Sequence, residues 1–268
     1  MPMNAVLSID KNKVRQSFSS AANSYDELAS LQRKVGLKLI QDFSVIKSSD
    51  RVLDIGCGTG FLTQELLKQV PNQPMLALDI AYSMVKRTRS KLQPLENVQY
   101  LCADAEYIPL KNHSVDRVVS NLALQWCQNL TAVFSGFNKV LKTEGQLLFS
   151  TFGPETLREL KKAWSEVDNY THVNEFYSVQ ALTDFLQQAG FKNIQLASVC
   201  YKSEYQTVLE LMRELKGIGA HNVLPRRNRQ TTSKTSMQTM ISAYEANREK
   251  GMIPATYEII FVTAEVNR

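Results

Sequence analysis

Residues 52–60 read VLDIGCGTG, an apolar stretch that runs into three glycines at alternate positions, Gly56, Gly58 and Gly60. Glycine has no Cβ, so the backbone can turn sharply there and a ligand can lie directly against it. Residues 61–67 then carry helical spacing, so the loop opens onto a helix N-terminus with free N–H groups. A strand, a glycine loop and a helix in this order predict the nucleotide-binding unit of a doubly wound α/β fold.

The spacing of the glycines narrows the choice of ligand. The dinucleotide fingerprint is G-x-G-x-x-G, whose helix faces a pyrophosphate, whereas this chain has D-x-G-x-G-x-G with Asp54 at the end of the strand. S-adenosylmethionine (SAM) has no phosphate; its α-ammonium group suits a carboxylate and its α-carboxylate suits loop N–H groups. The pattern therefore favours SAM, with a nicotinamide or other nucleotide as the alternative and a purely structural glycine turn behind both.

The composition is that of an ordinary globular protein. The 268 residues are 44% hydrophobic and 21% charged, as in typical soluble domains. No apolar stretch approaches the roughly 20 residues that span a bilayer, and residues 1–15 lack the long apolar core of a secretory signal. The four cysteines are scattered, and no pair has metal-ligand spacing. We therefore expect a reduced, cytoplasmic protein with no membrane partner and no metal site.

Apolar strands alternate with amphipathic helices along most of the chain. This rhythm predicts a mostly parallel sheet with helices on both faces, and hence an α/β, doubly wound, seven-stranded fold. The predicted strands cover residues 52–55, 75–80, 98–102, 115–120, 146–151, 191–201 and 257–262.

Two helical segments flank this core. Residues 1–47 precede the first strand and carry helical spacing, so they are expected to form a lid across the glycine loop. The core would occupy residues 48–201, and residues 255–268 would supply its last strand. Between them, residues 202–254 form an interruption too long for a turn, which predicts a helical cap over the site.

Polar residues follow the next three strands, where an open α/β sheet binds its ligand. Asp79 lies nineteen positions after Gly60, at the end of the second strand, where an acid accepts hydrogen bonds from both hydroxyls of a ribose. Residues 104–105, Asp-Ala, end the third strand and are placed for the exocyclic amine of an adenine. Residues 121–122, Asn-Leu, end the fourth strand and would line the pocket below a methyl donor.

Three stretches carry a resemblance to a known family: VLDIGCGTG at 52–60, LALDIAYSM at 76–84 and CADAEYIPLKNHSVDRVVSNLALQW at 102–126. They resemble the class I SAM-dependent methyltransferases over residues 45–200. The resemblance implies a Rossmann-like core, SAM as cofactor and S-adenosylhomocysteine (SAH) as product. Ala81 departs from the pattern, because many relatives have a hydroxyl residue there that caps the next helix. The implied cofactor-binding residues are Gln32, Asp54, Gly56, Gly58, Gly60, Asp79, Ile80, Met84, Asp104, Ala105, Asn121 and Leu122.

The methyl acceptor is constrained by what the sequence lacks. No metal cluster, catalytic Cys–His pair or Ser-His-Asp set stands out, which favours an acceptor that needs little acid–base help. A carboxylate fits, because with an ordinary pKa near 4 it is already ionised at neutral pH. Such a nucleophile needs alignment and the exclusion of water, whereas an amine or a phenol usually needs a base.

A second resemblance is more specific. Residues 212–222, MRELKGIGAHN, are similar to the cap signature of the malonyl-acyl-carrier-protein O-methyltransferases of biotin synthesis (the BioC family), and LKGIGA is the specific part. Residues 18–25, 156–160 and 172–176 resemble that family as well. The resemblance implies methyl transfer from SAM to the free carboxylate of a malonyl thioester carried by an acyl carrier protein, an early step of pimeloyl synthesis.

The same resemblance implies roles in the acceptor site. Tyr25 would close over the methyl donor and orient the acceptor, with a core aromatic as the alternative. Arg213 and Lys216, one helical turn apart, would hold the malonyl carboxylate or thioester, with ordinary surface charge as the alternative. His172 and Asn174 would complete the acceptor pocket, or else stabilise their own loop.

Charge is unevenly placed along the chain. Residues 215–244 contain five basic residues and no acidic one, which equals the whole formal net charge of +5. A basic surface favours an acidic partner, and the resemblance implies an acidic acyl carrier protein docking near Arg226, Arg227 and Arg229.

Other functions stay open from the sequence. A methyltransferase of a free small carboxylic acid or of a quinone is the main alternative. A nucleic-acid methyltransferase is less favoured, because the basic residues lack interleaved aromatics for base stacking, and we expect no nucleic-acid partner. A non-catalytic SAM sensor would keep the same three strand-end acids.

Overall fold

The computed structural model describes residues 9–41, 47–93, 95–220 and 232–267. The strands in this part of the chain are β1 Val52–Ile55, β2 Met75–Asp79, β3 Val98–Cys102, β4 Val115–Asn121, β5 Leu141–Phe152, β6 Phe191–Tyr205 and β7 Ile253–Val266. They form one sheet in the order β3-β2-β1-β4-β5-β7-β6. Strands β1 to β5 pair in parallel, and β7 is antiparallel to both β5 and β6. The predicted seven-stranded, mostly parallel α/β sheet is confirmed.

Helices connect the parallel strands and cover the sheet. Asp10, Ser178 and Thr207 each accept a backbone N–H at the N-terminus of a helix, which fixes where α1, α8 and α9 begin. Helix α5 begins after Ala81 without a side-chain cap, as the sequence predicts. The helices are α1 Lys11–Ala21, α2 Tyr25–Leu28, α3 Ser30–Gln41, α4 Phe61–Gln69, α5 Tyr82–Leu92, α6 Leu130–Val140, α7 Arg158–Ser165, α8 Val179–Gln188, α9 Val208–Gly217 and α10 Lys234–Glu245.

The central strands β1 and β2 are buried on both faces of the sheet. Successive strand residues point to opposite sides of a sheet, and Val52 and Leu53 accordingly belong to two separate apolar clusters. Leu39 of α3 packs in the first cluster, and Phe134 of α6 and Leu186 of α8 pack in the second. This two-sided burial explains why the central strands read as continuous apolar runs.

The last three strands are longer than predicted. Strand β5 starts at Leu141, whereas the sequence predicts a start at residue 146. Residues 142–144 are polar and exposed, so the hydropathy pattern does not mark them as part of a strand. Strand β6 continues to Tyr205, and β7 covers 253–266 where the sequence predicts 257–262. Strands β6 and β7 pair from Phe191 to Tyr205 of β6, with a register shift after Lys192. The hydrogen bonds of this pairing cannot be predicted from the local sequence pattern.

The helical spacing of residues 155–167 predicts a helix over that stretch, but helix α7 begins three residues later, at Arg158. Leu157 has a positive φ of 55° and donates its N–H to Thr256 O at 2.6 Å. The N–H of Glu155 is accepted by the carboxylate of Glu258. The backbone N–H groups of Glu155 and Leu157 therefore donate to residues of β7 and not to carbonyl groups of a helix.

The N-terminal helices contact the segment between β6 and β7. Ser24 Oγ donates to Gly217 O at 3.4 Å, and a Cβ on Gly217 would lie 2.2 Å from Leu28 Cδ1. The absence of a side chain at Gly217 thus lets α9 approach α2 closely. Among the described residues, no helix is both long and apolar enough to cross a bilayer.

Candidate active site

The glycine loop after β1 has the backbone that its sequence predicts. Gly56, Gly58 and Gly60 all have positive φ, at 71°, 55° and 85°. A Cβ on Gly56 would lie 2.3 Å from the Cβ of Ala123, whereas a Cβ on Gly58 would meet nothing within 4 Å. Gly56 is therefore required for packing, and Gly58 exposes bare backbone to the cleft beside it.

Asp79 holds this loop from the end of β2. Its Oδ2 accepts the Gly58 N–H at 3.0 Å, and its Oδ1 accepts the Ala81 N–H at 2.8 Å. Burial raises the pKa of Asp79 to about 6, against the lowering effect of these two hydrogen bonds. Each carboxylate oxygen keeps a lone pair, so the group can accept further hydrogen bonds from ligand hydroxyls in the cleft.

Asp54 is a buried acid with one oxygen unpaired. Its side chain accepts a hydrogen bond from Thr63 Oγ1 at 2.6 Å on Oδ2, while Oδ1 has no partner among the described residues. Burial raises its pKa to about 7; the Thr63 hydrogen bond opposes this rise and the charge of Asp79 adds to it. A buried oxygen without a donor calls for a missing partner, and a ligand ammonium or an ordered water would supply one.

The cleft at the carboxyl ends of the central strands brings most of the predicted cofactor residues together. It holds about 690 Å³ of empty space, part of it open to solvent. Asp54 and Gly60 are buried and do not line it, and Gln32 lines the neighbouring cavity. The predicted residues that line the cleft are Gly56, Gly58, Asp79, Ile80, Met84, Asp104, Ala105, Asn121 and Leu122.

Lys11 is a cleft residue that the sequence does not reveal. Its ammonium pairs with the Asp104 carboxylate and lies 2.8 Å from Glu106 Oε1. Helix α1 is thereby fastened to the end of β3, beside the place predicted for an adenine. Lys11 and Asp104 are 93 positions apart in the chain, so no local sequence pattern predicts their contact.

A second cavity adjoins the cleft, and we call it the acceptor chamber. Phe18, Tyr25, Leu122 and Trp126 line both spaces. The chamber holds about 830 Å³ of empty space, part of it open to solvent. Its further polar lining residues are Gln32, Gln125, Thr156, His172, Asn174, Glu214 and Tyr257.

Tyr25 stands between the two cavities. Its hydroxyl makes no hydrogen bond with the residues that the structure describes, and its ring meets Phe18 edge to face at 6.5 Å. Burial raises the pKa of the phenol, and the charges of Asp79 and Asp26 raise it further. The hydroxyl therefore stays protonated at neutral pH and can donate a hydrogen bond to a ligand in either cavity.

His172 and Asn174 both line the chamber. The His172 ring stacks on Trp164 with centroids 3.8 Å apart, and its Nε2 lies 2.8 Å from Asp168 Oδ1. An ionised carboxylate can only accept, so Nε2 carries a proton and Nδ1 is left for a ligand. Asn174 Oδ1 is buried without a partner in the described part of the chain, so both residues have unused hydrogen-bonding capacity.

Arg213 and Lys216 do not line the acceptor chamber. Both are exposed, and they line a groove outside it that also includes His172 and Leu215. Helix geometry explains this, because Glu214 on α9 and Ile218, the residue that follows the helix, are four positions apart and both line the chamber. Among the described lining residues, the chamber has no arginine or lysine. The structure thus places Arg213 and Lys216 outside the chamber, and their role in holding the malonyl carboxylate or the thioester stays a prediction.

Glu214 and Tyr257 are chamber residues that sequence reasoning missed. Glu214 lies inside the MRELKGIGA segment that the sequence singles out, but its charged type suggests an exposed helix face. Residues 226–229, which contain the arginines predicted to dock a carrier protein, lie outside the described residues.

Comparisons with known proteins agree with this geometry. A family model described as "Methyltransferase domain" matches residues 53–149. The malonyl-acyl-carrier-protein O-methyltransferase of Nitrosospira multiformis is 38% identical over 94% of this chain and 88% of that protein. The corresponding protein of Methylovorus sp. is 39% identical over the same shares. The biotin biosynthesis bifunctional protein BioHC of Saccharophagus degradans is 39% identical over 94% of this chain and 46% of its own length.

Solved structures share the fold at low sequence identity. A putative methyltransferase from Bacillus halodurans superposes with a TM-score of 0.63 at 18% identity, covering 88% of this chain and all of that one. Phosphoethanolamine N-methyltransferase 2 of Haemonchus contortus, solved in complex with S-adenosyl-L-methionine, gives a TM-score of 0.59 at 16% identity over 93% of this chain and 57% of its own. These matches confirm the Rossmann-like methyltransferase fold.

The curated relatives align over nearly the whole of both chains, so the match extends beyond the common core to the N-terminal helices and the segment between β6 and β7. At 38–39% identity such coverage defines membership, and the chain belongs to the malonyl-acyl-carrier-protein O-methyltransferase family of SAM-dependent methyltransferases.

Proposed function

We propose that this chain transfers the methyl group of SAM to the free carboxylate of malonyl-acyl-carrier protein, producing the methyl ester and SAH. The observation that carries the proposal is the pair of adjoining cavities that share Tyr25 and Leu122. One cavity has the strand-end acids of a SAM site, and the other is a chamber large enough for an acceptor. The names of the relatives supply the malonyl acceptor and the setting in biotin synthesis.

The cleft residues fit SAM group by group. Asp79 would accept the ribose hydroxyls, and the end of β3 at Asp104 would receive the adenine amine. The bare backbone at Gly58 leaves room for the methionine part, and the unpaired Oδ1 of Asp54 would gain a donor from an ammonium-bound water or from the ammonium itself. When bound, SAM supplies an electrophilic methyl carbon on a sulfonium.

The acceptor chamber would orient a carboxylate that is already a nucleophile. An ionised carboxylate needs no base, which fits a chamber whose polar lining includes several hydrogen-bond donors. Tyr25 stays protonated and can donate, and Gln32, Gln125 and Asn174 carry amide N–H groups. These residues would hold the carboxylate toward the methyl donor, while Phe18 and Trp126 exclude water from the junction.

The outer groove offers a route for the thioester arm. Leu209 and Met212 line it beside the cations of Arg213 and Lys216, and it meets the chamber at His172 and Leu215. The arm of the carrier would pass along this groove, with the acidic carrier protein resting on the surrounding positive charge. The arginines of residues 226–229 would add to the positive charge that an acidic carrier meets.

The direct test is mass spectrometry of malonyl-acyl-carrier protein after incubation with the enzyme and SAM. We expect the acyl group to gain the mass of one CH₂, and the gain to vanish when SAM is omitted. Free malonate and a quinone are run beside it. Methylation of a free acid or a quinone without methylation of the malonyl carrier would contradict the proposal and favour the alternative acceptor class.

A further inference from the structure

The carboxylate of Glu214 lies in the wall of the chamber that is proposed to receive the carboxylate of the malonyl group. It is half-buried on the inner face of α9, lines the chamber, and accepts a hydrogen bond from Tyr205 Oη at 3.0 Å on Oε1. The Tyr205 hydroxyl lies 3.4 Å from that of Tyr257, and both tyrosines are buried, each 4% exposed. No cation of the described residues lies within ion-pair distance of the Glu214 carboxylate.

Among the described residues, the elements packed around Glu214 provide no compensating charge. Strands β6 and β7 present the two neutral phenols of Tyr205 and Tyr257. On its own helix, Glu210 is a further anion, and the cations Arg213 and Lys216 lie on the exposed side. Burial raises the pKa of Glu214, and the charge of Glu210 raises it further. Any additional anion beside this carboxylate would have to be desolvated next to a like charge.

We propose that Glu214 is a specificity-determining residue that disfavours free dicarboxylates and selects acceptors whose second carboxyl group is masked as a thioester. The proposal rests on the function proposed above. Malonate and a malonyl thioester present the same acceptor carboxylate and differ at the other end, which is an anion in malonate and neutral in the thioester. A chamber wall whose carboxylate has no cationic partner among the described residues distinguishes the two by repelling the dicarboxylate.

The test compares two small ligands as inhibitors of malonyl-carrier methylation. Malonate has two carboxylates, and monomethyl malonate has one carboxylate and a neutral ester in place of the second. The variant Glu214→Gln removes the charge and keeps an acceptor oxygen for Tyr205. The matched control is Glu166→Gln, which removes one charge from an exposed position at the end of α7 that does not line the chamber. Thermal unfolding confirms that both variants are folded.

We expect Glu214→Gln to lower the inhibition constant of malonate about tenfold more than that of monomethyl malonate, the size of one pKa unit of charge interaction. Glu166→Gln should leave the ratio of the two constants unchanged. An unchanged ratio in Glu214→Gln, in an enzyme that methylates malonyl-carrier protein, overturns the inference and leaves the proposed function intact. Absence of malonyl-carrier methylation in the wild type overturns the proposed function itself, and the inference with it.

Discussion

Asp79 links the glycine loop to helix α5 through two hydrogen bonds, one to each carboxylate oxygen. We expect Asp79→Asn to weaken SAH binding by about tenfold or more, because an amide NH₂ would face a backbone N–H and the charge-assisted bonds, each about 1.5–3 kcal/mol, would be lost. Isothermal calorimetry with SAH measures this. Asp184→Asn on α8, where the carboxylate accepts from the Gln180 side chain, is the control. Equal affinities in the two variants would remove Asp79 from the site.

Asp54 is expected to make the affinity for SAH depend on pH. Its pKa near 7, raised by burial, means that the carboxyl group is partly protonated in the free protein at neutral pH. A cationic ligand group favours the ionised form, so binding releases a proton and the SAH affinity rises with pH between about 6 and 8. Calorimetry over this range should show the rise in the wild type and a flatter profile in Asp54→Asn. A flat wild-type profile would disprove the link between Asp54 and the ligand cation.

The pKa of Asp54 also sets the sign of its effect on stability. An acid whose pKa is raised on folding stabilises the protein most below its unfolded value of about 4. This contribution is lost as the pH rises through the folded pKa of about 7. A tightly binding cationic group would offset that loss, so the acid is suited to a site that is completed by its ligand.

Residue identities in the cofactor cleft were largely predictable, and contacts across the chain were not. Asp79 and Asp104 follow strands at fixed distances from the glycine loop, and a parallel sheet brings strand ends to one edge. Lys11 and Glu214 reach the cavities from helices outside that repeat. Their roles depend on which helix face turns inward, and a charged residue is ordinarily expected to face solvent.

At the scale of secondary-structure elements, helix α2 is fastened to the site by Asp26. Its carboxylate accepts a hydrogen bond from Thr59 of the glycine loop and pairs with Lys91 of α5 at 2.8 Å. The side chain of Asp26 is 51% exposed, and exposed pairs contribute little to stability. The contact therefore matters more for the position of α2, which carries Tyr25, than for the free energy of unfolding.

We expect Asp26→Asn to change the free energy of unfolding by less than about 1 kcal/mol and to increase the dissociation rate of SAH several-fold. Stopped-flow measurement of SAH release and chemical denaturation test the two parts. The control is Glu27→Gln, an exposed residue next to it on α2. Unchanged release, or an equal increase in both variants, would show that the Asp26 contact does not hold the helix over the cleft.

Element boundaries show where local patterns stop being informative. The helix predicted over 155–167 starts at Arg158 because the preceding backbone bonds to β7. The start of β5 was missed because residues 142–144 are polar and exposed, and only Leu141 before them has a partner, Val115 of β4. The contacts that set the start of α7 and of β5 are made with residues distant in sequence, and periodicity within one window does not contain that information.

On the surface of the whole molecule, the exposed cations Arg213 and Lys216 line the groove that adjoins the chamber. We expect the double variant Arg213→Glu and Lys216→Glu to raise the KM for malonyl-acyl-carrier protein several-fold at low ionic strength, because an acidic carrier would be repelled. Salt should shrink the effect, since screening weakens exposed charges. Steady-state kinetics at two salt concentrations measures it.

The control for this prediction is Lys86→Glu, an exposed charge reversal on α5. The KM for a small malonyl thioester without the carrier should change less than the KM for the carrier-bound substrate. A salt-independent increase, or one equal to that of Lys86→Glu, would place carrier docking elsewhere on the molecule.

The overall architecture could be predicted from the alternation of strands and helices, because a parallel sheet with helices on both faces allows few chain topologies. The spatial relation between the N-terminal helices and the segment after β6 did not follow. The close approach of α2 and α9 at Gly217 depends on a glycine that no local rule requires. The acceptor chamber is formed by this approach, which explains why its lining was the least predictable part of the site.

The most direct measurement is a crystal structure with SAH and a malonyl thioester bound together. We predict SAH in the cleft with its ribose hydroxyls on Asp79, and the malonyl carboxylate in the chamber on the other side of Tyr25 and Leu122, facing the sulfur. An acceptor bound away from that junction, or SAH outside the cleft, would contradict a single active site built from the two cavities.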